Sequence, residues 1–400
     1  MNIRARKGFK LDLLMGELAK GSRPSRQGTV TFSGWTYEHW TPVIVSAVEF
    51  PRALSALGQH RVVHEALMAA AKKGALDEKG LIAELRAATH SYIRQKQRPY
   101  VIASQIAVQV ADRSVSRLKR ATVTLTARLP ARFRAQHEGI ANRDPGRTQA
   151  PIGAAWVRTT VRARDPHEAV ELGSRELDFL RGIWLLAYTR GRFSLSFGVH
   201  PPLNPFVLGP AYSVHHRDGS LAHDSPWWEH GYHRPGRIEP VARHWTNVRK
   251  LEARFRGYLR RIGYAPIIED AVRRYARALD STEWDTVFVK LWSILEGLTV
   301  TGHSSYDVTI RRASLIYRDR DARVQVLRHL REYRNRVVHR DETRQDNLTA
   351  VQQLKDVIED MLVFHVFRKR VFRTVEEVAR FLDLPPDRAL LRAAVSFFST

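Results

Sequence analysis

An α+β N-terminal domain followed by an all-α helical bundle is the fold class this 400-residue chain predicts, divided as residues 1–240 and 241–400. Three observations carry that expectation. Apolar residues alternate with period two in several stretches between Tyr100 and Ala163, the spacing of half-buried strands. Beyond about Pro240 they recur every three or four residues almost to the end, the spacing of helices packed on one face. Between the two lies His200 to Pro240, rich in Pro, Gly, His and Trp, which reads as loops with short strands at a domain boundary.

From Pro42 to about Arg98, HRVVHEALMAAAKK and LIAELRAATHSYI have helical spacing. YVIASQIAVQV then places Ile102, Ile106, Val108 and Val110 on one strand face, and ATVTLTARL sets Val123, Leu125, Ala127 and Leu129 opposite threonines. AAWVRTTVRAR alternates Val157, Thr159, Val161 and Ala163 against Arg158, Thr160, Arg162 and Arg164, a strand with one basic face. Asp165-Pro166-His167-Glu168 supplies an N-cap acid, a first-turn proline and a glutamate that closes a capping box. A helix therefore starts there and runs to near Gly191, after which RFSLSFGV alternates as a further strand. The second half carries ARHWTNVRKLEARFRGYLRRIG, IIEDAVRRYARAL, TVFVKLWSILEGL, DARVQVLRHLREYRN and LTAVQQLKDVIEDMLVFHVF, all helical. A second capping box, Thr374 to Glu377, opens a short helix, and Pro385-Pro386 separates it from the last one.

A net charge of +24 and a pI near 10.7 predict attraction to polyanions, nucleic acid first. An anionic membrane surface is the competitor, but the best apolar run, GIWLLAY at Gly182 to Tyr188, is far too short to span a bilayer. It reads as half of a core helix. The opening MNIRARKGFK is too charged for a secretory signal, so a cytoplasmic location is expected. The absence of cysteine excludes disulfides, thiolate nucleophiles and Cys-ligated zinc.

There is no phosphate-binding glycine loop, dinucleotide fingerprint or nucleophile elbow. His64-Glu65, His137-Glu138 and His167-Glu168 each lack the second histidine of a zincin helix. The loop HHRDGSLAHDSPWWEHGYH brings together His215, His216, His223, Asp224, His230 and His233 without a metal-ligand spacing. No metal or cofactor is expected from it, a histidine-loop metalloenzyme being the lesser alternative. The stretch reads as a polar loop whose aromatic and basic residues pack or contact RNA. Arg158, Arg162 and Arg164 are either a solvated strand face or a weak nucleic-acid contact.

One stretch offers chemistry: EYRNRVVHRDE, Glu332 to Glu342. On a helix, Asn335 and His339 share a face at i and i+4, whereas Arg334 lies about 140° from His339 at roughly 100° per residue. Arg334 therefore has to reach round the helix edge, unless the motif straddles a helix start. Brought round one small volume, an imidazole, an amide and a guanidinium suit attack of a ribose 2′-hydroxyl on its neighbouring phosphate. The bland alternative is a solvated basic helix.

R-N-x-x-x-H at Arg334, Asn335 and His339, late in a helical bundle, resembles the signature of HEPN-domain ribonucleases. Upstream, KLWSILEGLTV with Glu296 resembles the segment preceding that motif in the Apea-like HEPN branch, which places the domain at roughly Pro266 to Phe372. The resemblance implies a dimer that cuts RNA, such as tRNA or mRNA, without metal, in toxin-antitoxin or anti-phage defence, with a phage trigger or an antitoxin as further partner. It makes His339 the general acid-base, Arg334 the phosphate clamp and Asn335 an orienting group. Glu296 either orients Arg334 or is a structural partner in the bundle. Arg331, Arg336 and Arg340 crowd the motif with charge that an RNA phosphate would relieve. The apolar runs LVFHVF (Leu362 to Phe367) and AAVSFF (Ala393 to Phe398) are candidates to cover a dimer interface, burial within the protomer being the more ordinary fate. The alternative from a different class is a non-catalytic HEPN module that binds RNA or neutralises a toxin.

Overall fold

The structure is a computed structural model. It describes residues 3–24, 30–32, 35–51, 53–143, 150–192, 201–229, 232–235, 238, 240–302, 305–339, 347–367 and 372–385, less the side chains of residues 24, 30, 338, 339 and 347. It is a mixed α/β fold, 57% helical, with a helical C-terminal region.

Elements are numbered in chain order. The first group comprises helices α1 (Leu11–Lys20), α2 (Thr36–Ala47), α3 (Ala56–Lys72) and α4 (Glu78–Arg94). Two short antiparallel pairs join them, β1 (Arg4–Ala5) with β4 (Val48–Glu49) and β2 (Ser22–Pro24) with β3 (Val30–Phe32). Leu14, Leu18, Ile44, Val63, Leu67, Leu81 and Leu85 close a core of their own between residues 3 and 92.

A six-stranded antiparallel sheet follows, built from β5 (Arg98–Ile106), β6 (Ser114–Arg117), β7 (Ala121–Thr126), β8 (Ala155–Ala163), β9 (Ala211–His215) and β10 (Trp227–Trp228) in the order β10-β9-β5-β8-β7-β6. Along β8 buried and less buried residues alternate as the sequence predicts. In β5 the centre is buried on both faces. Helix α5 (Ala131–Ala141), with the turn before it, lays Leu129 and Phe133 over Val101 and Ala103 of the outer face.

Helix α6 (Pro166–Thr189) crosses the inner face. Asp165 caps it by accepting the Glu168 amide at 2.8 Å, and Glu168 accepts the Arg164 amide at 2.5 Å, so the capping box forms one residue wider than its simplest version. The run from Leu177 to Leu186 is buried on every side, as half of a core helix should be. Fully burying an aliphatic side chain stabilises by about 1.5–3 kcal/mol. Two glycines permit this. A Cβ at Gly173 would stand 2.7 Å from Ile102 Cδ1, and one at Gly182 would run into the Val272 carbonyl of the next helix layer.

That layer is α7 (Trp245–Leu259), α8 (Ala265–Ala278), α9 (Trp284–Leu298), α10 (Tyr306–Ser314), α11 (Arg320–His339), α12 (Asn347–Phe367) and α13 (Val375–Leu382). Its apolar residues belong to the same cluster as the sheet's inner face and α6. The core thus runs across residue 240 without interruption, and the change from one core to the next falls between Tyr92 and Tyr100. The segment expected to be a boundary instead contributes Phe206 and Leu208 to the core and β9 to the sheet.

Fully buried Arg181 ties the layers together. It donates to Asp178 Oδ1 at 2.8 Å on its own helix, to the Phe206 carbonyl at 2.7 Å and to Asp280 beyond α8. The expected strand RFSLSFGV lies almost wholly outside the described residues, as do AAVSFF and Pro386. LVFHVF is packed within the protomer: Leu362, Phe364, His365 and Val366 are buried, so it does not offer a free interface. Among the described residues no helix is long and apolar enough to cross a membrane.

Candidate active site

Both described motif side chains, Arg334 and Asn335, lie on α11, which also carries His339 as its last residue. The motif therefore does not straddle a helix start. The His339 side chain and all of Arg340 lie outside the described residues. The first turn of α10 stands against this part of α11. Asn335 and Arg331 line one side of a cleft of about 560 Å³, with Glu332, and Ser305, Tyr306 and Asp307 line the other. His339 follows Asn335 by four residues, so its backbone is one turn further along the same side.

Arg334 does not line this cleft itself but rests on an aromatic ring that does. Its guanidinium carbon lies 4.9 Å from the centroid of Tyr306, a cation–π contact that fixes a side chain otherwise free to swing. Tyr306 is braced in turn by an edge contact with Trp292 of α9, centroids 6.0 Å apart. The Trp292 indole N–H donates to Glu296 Oε1 at 2.9 Å. Among the described residues Glu296 makes no bond to Arg334. It is linked to the guanidinium through two rings.

The neighbouring arginines are not left to repel one another. Arg331 is paired with Asp307 at 2.8 Å and Glu332 at 2.9 Å, and Arg336 lies over the Tyr333 ring at 5.9 Å. Carboxylates and rings thus supply the compensation that was expected of a bound anion alone. Asp307 and Glu332 are 78% and 57% exposed, so water screens both pairs and they can exchange for a ligand phosphate at little cost. The Tyr333 hydroxyl donates to Asp285 at 2.5 Å, and burial followed by that carboxylate raises its pKa. It anchors α11 to α9 and is not a proton donor to the cleft.

The turn that delivers Tyr306 is strained. Val300, a β-branched residue, has φ +59°, a left-handed conformation that costs of order 1–3 kcal/mol. The Thr301 amide donates to the Glu296 carbonyl at 2.9 Å to close the end of α9. Arg312 holds the turn by donating to the carbonyls of Thr299 and Val300 at 2.9 and 2.8 Å, and is itself held by Asp383 beyond α13.

The three strand arginines do not form one exposed face. Arg164 is half-buried in an ion pair with Glu168 and serves the start of α6. Arg162 is exposed and donates to the Gln97 carbonyl at 2.9 Å. Arg158 lies over Phe133 of α5 at 5.9 Å.

The histidine-rich loop is dispersed into separate contacts. His215 is fully buried and must donate from Nδ1 to the Gly219 carbonyl, so its Nε2 accepts the Ser213 hydroxyl at 2.7 Å. Ser213 can then only accept from His137 Nδ1, also at 2.7 Å. Burial holds both imidazoles neutral, lowering the pKa of His137 to about 4. His223 packs on Trp227, His216 on Tyr100, and His233 meets Thr282. Asp224 accepts from Arg143 through its backbone carbonyl, and His230 is outside the described residues. Among the described residues no three His, Cys, Asp or Glu side chains converge as a metal site would require.

No family model, curated protein or solved structure matches this chain. The candidate site therefore stands on its own geometry and on the motif.

Proposed function

We propose that the chain is a metal-independent endoribonuclease of HEPN type, with the α10–α11 cleft as its active site. The observation that carries the reading is the seating of Arg334 on Tyr306, a ring that lines an open cleft together with Asn335, with His339 one helical turn beyond Asn335. In the reaction, the His339 imidazole takes the proton of a ribose 2′-hydroxyl. The O2′–P bond forms, the P–O5′ bond breaks, and the leaving oxygen takes up a proton. Arg334 stabilises the charge that builds on the phosphorane, and Asn335 orients a phosphate oxygen. One motif supplies one acid-base group, whereas in-line transfer uses a base at the nucleophile and an acid at the leaving oxygen. A second copy of this chain, related by a two-fold axis beside α11, supplies the other. RNA is thus substrate and a homodimer the working unit.

Purified protein incubated with total RNA is expected to leave 2′,3′-cyclic phosphate and 5′-hydroxyl ends, with or without chelator, and to leave DNA intact. Chelator-sensitive cutting or a DNA product would overturn the proposal. Unchanged RNA ladders from wild type would instead select the non-catalytic RNA-binding reading.

The ring beneath Arg334 makes a separate prediction. Tyr306→Phe keeps the cation–π surface and should cut RNA at the wild-type rate. Tyr306→Leu should lose between about 2-fold and 30-fold in kcat, the equivalent of ~0.5–2 kcal/mol for such a contact. Equal rates for the two variants would show that the ring does not position the guanidinium.

A further inference from the structure

The outer face of the sheet is covered unevenly. Helix α5 lies over β9 and the middle of β5, where Ser213, Val101 and Ala103 are buried. On β6, β7 and β8 the same face carries two cross-strand rows. The strand register aligns Val115, Thr124 and Arg158 in one, and Arg117, Thr122 and Thr160 in the next. Arg162 continues β8 beyond them, and Arg113 precedes β6.

Charge on this face is one-sided. Strands β5 to β8 contain no aspartate or glutamate. Arg113, Arg117 and Arg162 are exposed, and among the described residues none of these three, nor Arg158, has a carboxylate partner. Arg61, Arg164, Arg181, Arg277 and Arg331 do pair with an acid, whereas Arg334 and Arg336, like the four on this face, rest on no carboxylate among the described residues. Arg158 and Arg132 share one ring, their guanidinium carbons 5.9 and 4.8 Å from the Phe133 centroid, and the Arg158 Nε is buried with no acceptor. Burial, then the neighbouring charges of Arg113 and Arg132, lower the Arg158 pKa. Clustered guanidinium groups without acids are held at an electrostatic cost that an arriving polyanion removes.

We infer that the β6–β7–β8 face is a docking surface for the sugar–phosphate backbone of RNA, separate from the α10–α11 cleft. Guanidinium groups take phosphate oxygens, and the half-buried hydroxyls of Thr122 and Thr160 line the strip between them. The three strands hold one aromatic, Trp156, which is packed edge-on against His137 at 4.9 Å. With no free ring for bases to stack on, this face holds backbone and does not read sequence. The inference rests on RNA being the substrate of the proposed nuclease, and gives the sheet the task of holding RNA while the bundle cuts.

Binding of a fluorescein-labelled RNA hairpin tests this, measured in a His339→Ala background so that cutting does not intrude. Arg113→Ala/Arg117→Ala/Arg162→Ala should weaken binding at least tenfold. It should also flatten the slope of log affinity against log salt by about two, since each phosphate that the protein neutralises adds roughly 0.7–0.9 to that slope. The control Lys10→Ala/Lys72→Ala/Lys79→Ala removes the same charge from exposed positions elsewhere and should change affinity by less than about twofold. The double variant Arg113→Ala/Arg117→Ala should show the same trend in smaller measure. Parent-like affinity and slope in the triple variant, or an equal loss in the control, would overturn the inference. Failure of the nuclease proposal is seen separately, as wild-type protein that binds the hairpin through this face yet cuts no RNA.

Discussion

His339→Ala is expected to lower RNA cleavage by a factor of about 10²–10⁴, the range for losing a general acid-base. Arg334→Ala should cost about 10²–10³, the range for removing one group that stabilises developing charge. Neither should change stability by more than about 0.5 kcal/mol if both side chains serve the cleft alone. Single-turnover rates and urea midpoints on the same preparations check this. A large shift of midpoint with little loss of rate would make the motif structural. Mixing the two inactive variants extends the test, because a cleft shared across a two-fold axis regains some activity in heterodimers. Light scattering is the firmer measurement: a strict monomer that cuts at full rate would rule out the dimer.

The largest effect on stability is expected at Arg181, far from the cleft. Its guanidinium is 0% exposed and satisfies Asp178, Asp280 and the Phe206 carbonyl together. Arg181→Met leaves the volume nearly filled but removes a cation from two carboxylates: Asp178 keeps Arg277 at 2.6 Å, and among the described residues Asp280 keeps only the neutral Asn204 amide at 2.8 Å as a hydrogen-bond donor. Breaking a buried pair from one side costs about 3–5 kcal/mol. A urea titration should show that loss for Arg181→Met and no measurable change for Arg4→Ala, whose partner Glu49 is exposed like itself. Equal midpoints for the two variants would refute the assigned role.

Local signals in this chain were legible where one element determines its own form. The capping residues Asp165 and Thr374, the alternation of β8 and the helical spacing of the second half all appear in the structure. What a composition reading misses is pairing over distance. The segment after His200 reads as loops with short strands at a domain boundary, and its short strands are there, but the sequence does not show that Val101 pairs with His215 across more than a hundred residues to join one of them to the sheet. The same limit applies at the cleft. Arg334 and Asn335 can be picked out by motif, whereas Tyr306 and Trp292 gain their place only when α9, α10 and α11 pack together. Nor does a valine in the left-handed region announce itself in sequence, since glycine is the residue that usually marks such a turn. Arg164 misleads for a related reason: the period of the strand assigns it to a basic face, but the strand ends at Ala163 and the cap of α6 claims it.

The single core shared by the sheet, α6 and the bundle bears on how the chain is made. A ribosome delivers residues 3–92 first, and these can close their own core at once. After the strands β5 to β8 and helix α5, helix α6 emerges with a buried run that packs on α7 and α8, which have yet to be synthesised. At roughly 5–20 residues per second, synthesis from the end of α6 to the end of α8 takes about 4–18 s. Through that interval an apolar surface waits uncovered, a natural client for a chaperone. Helix α11, which carries the motif, follows α7 to α10 in the chain, so the cleft is assembled only after those helices have left the tunnel.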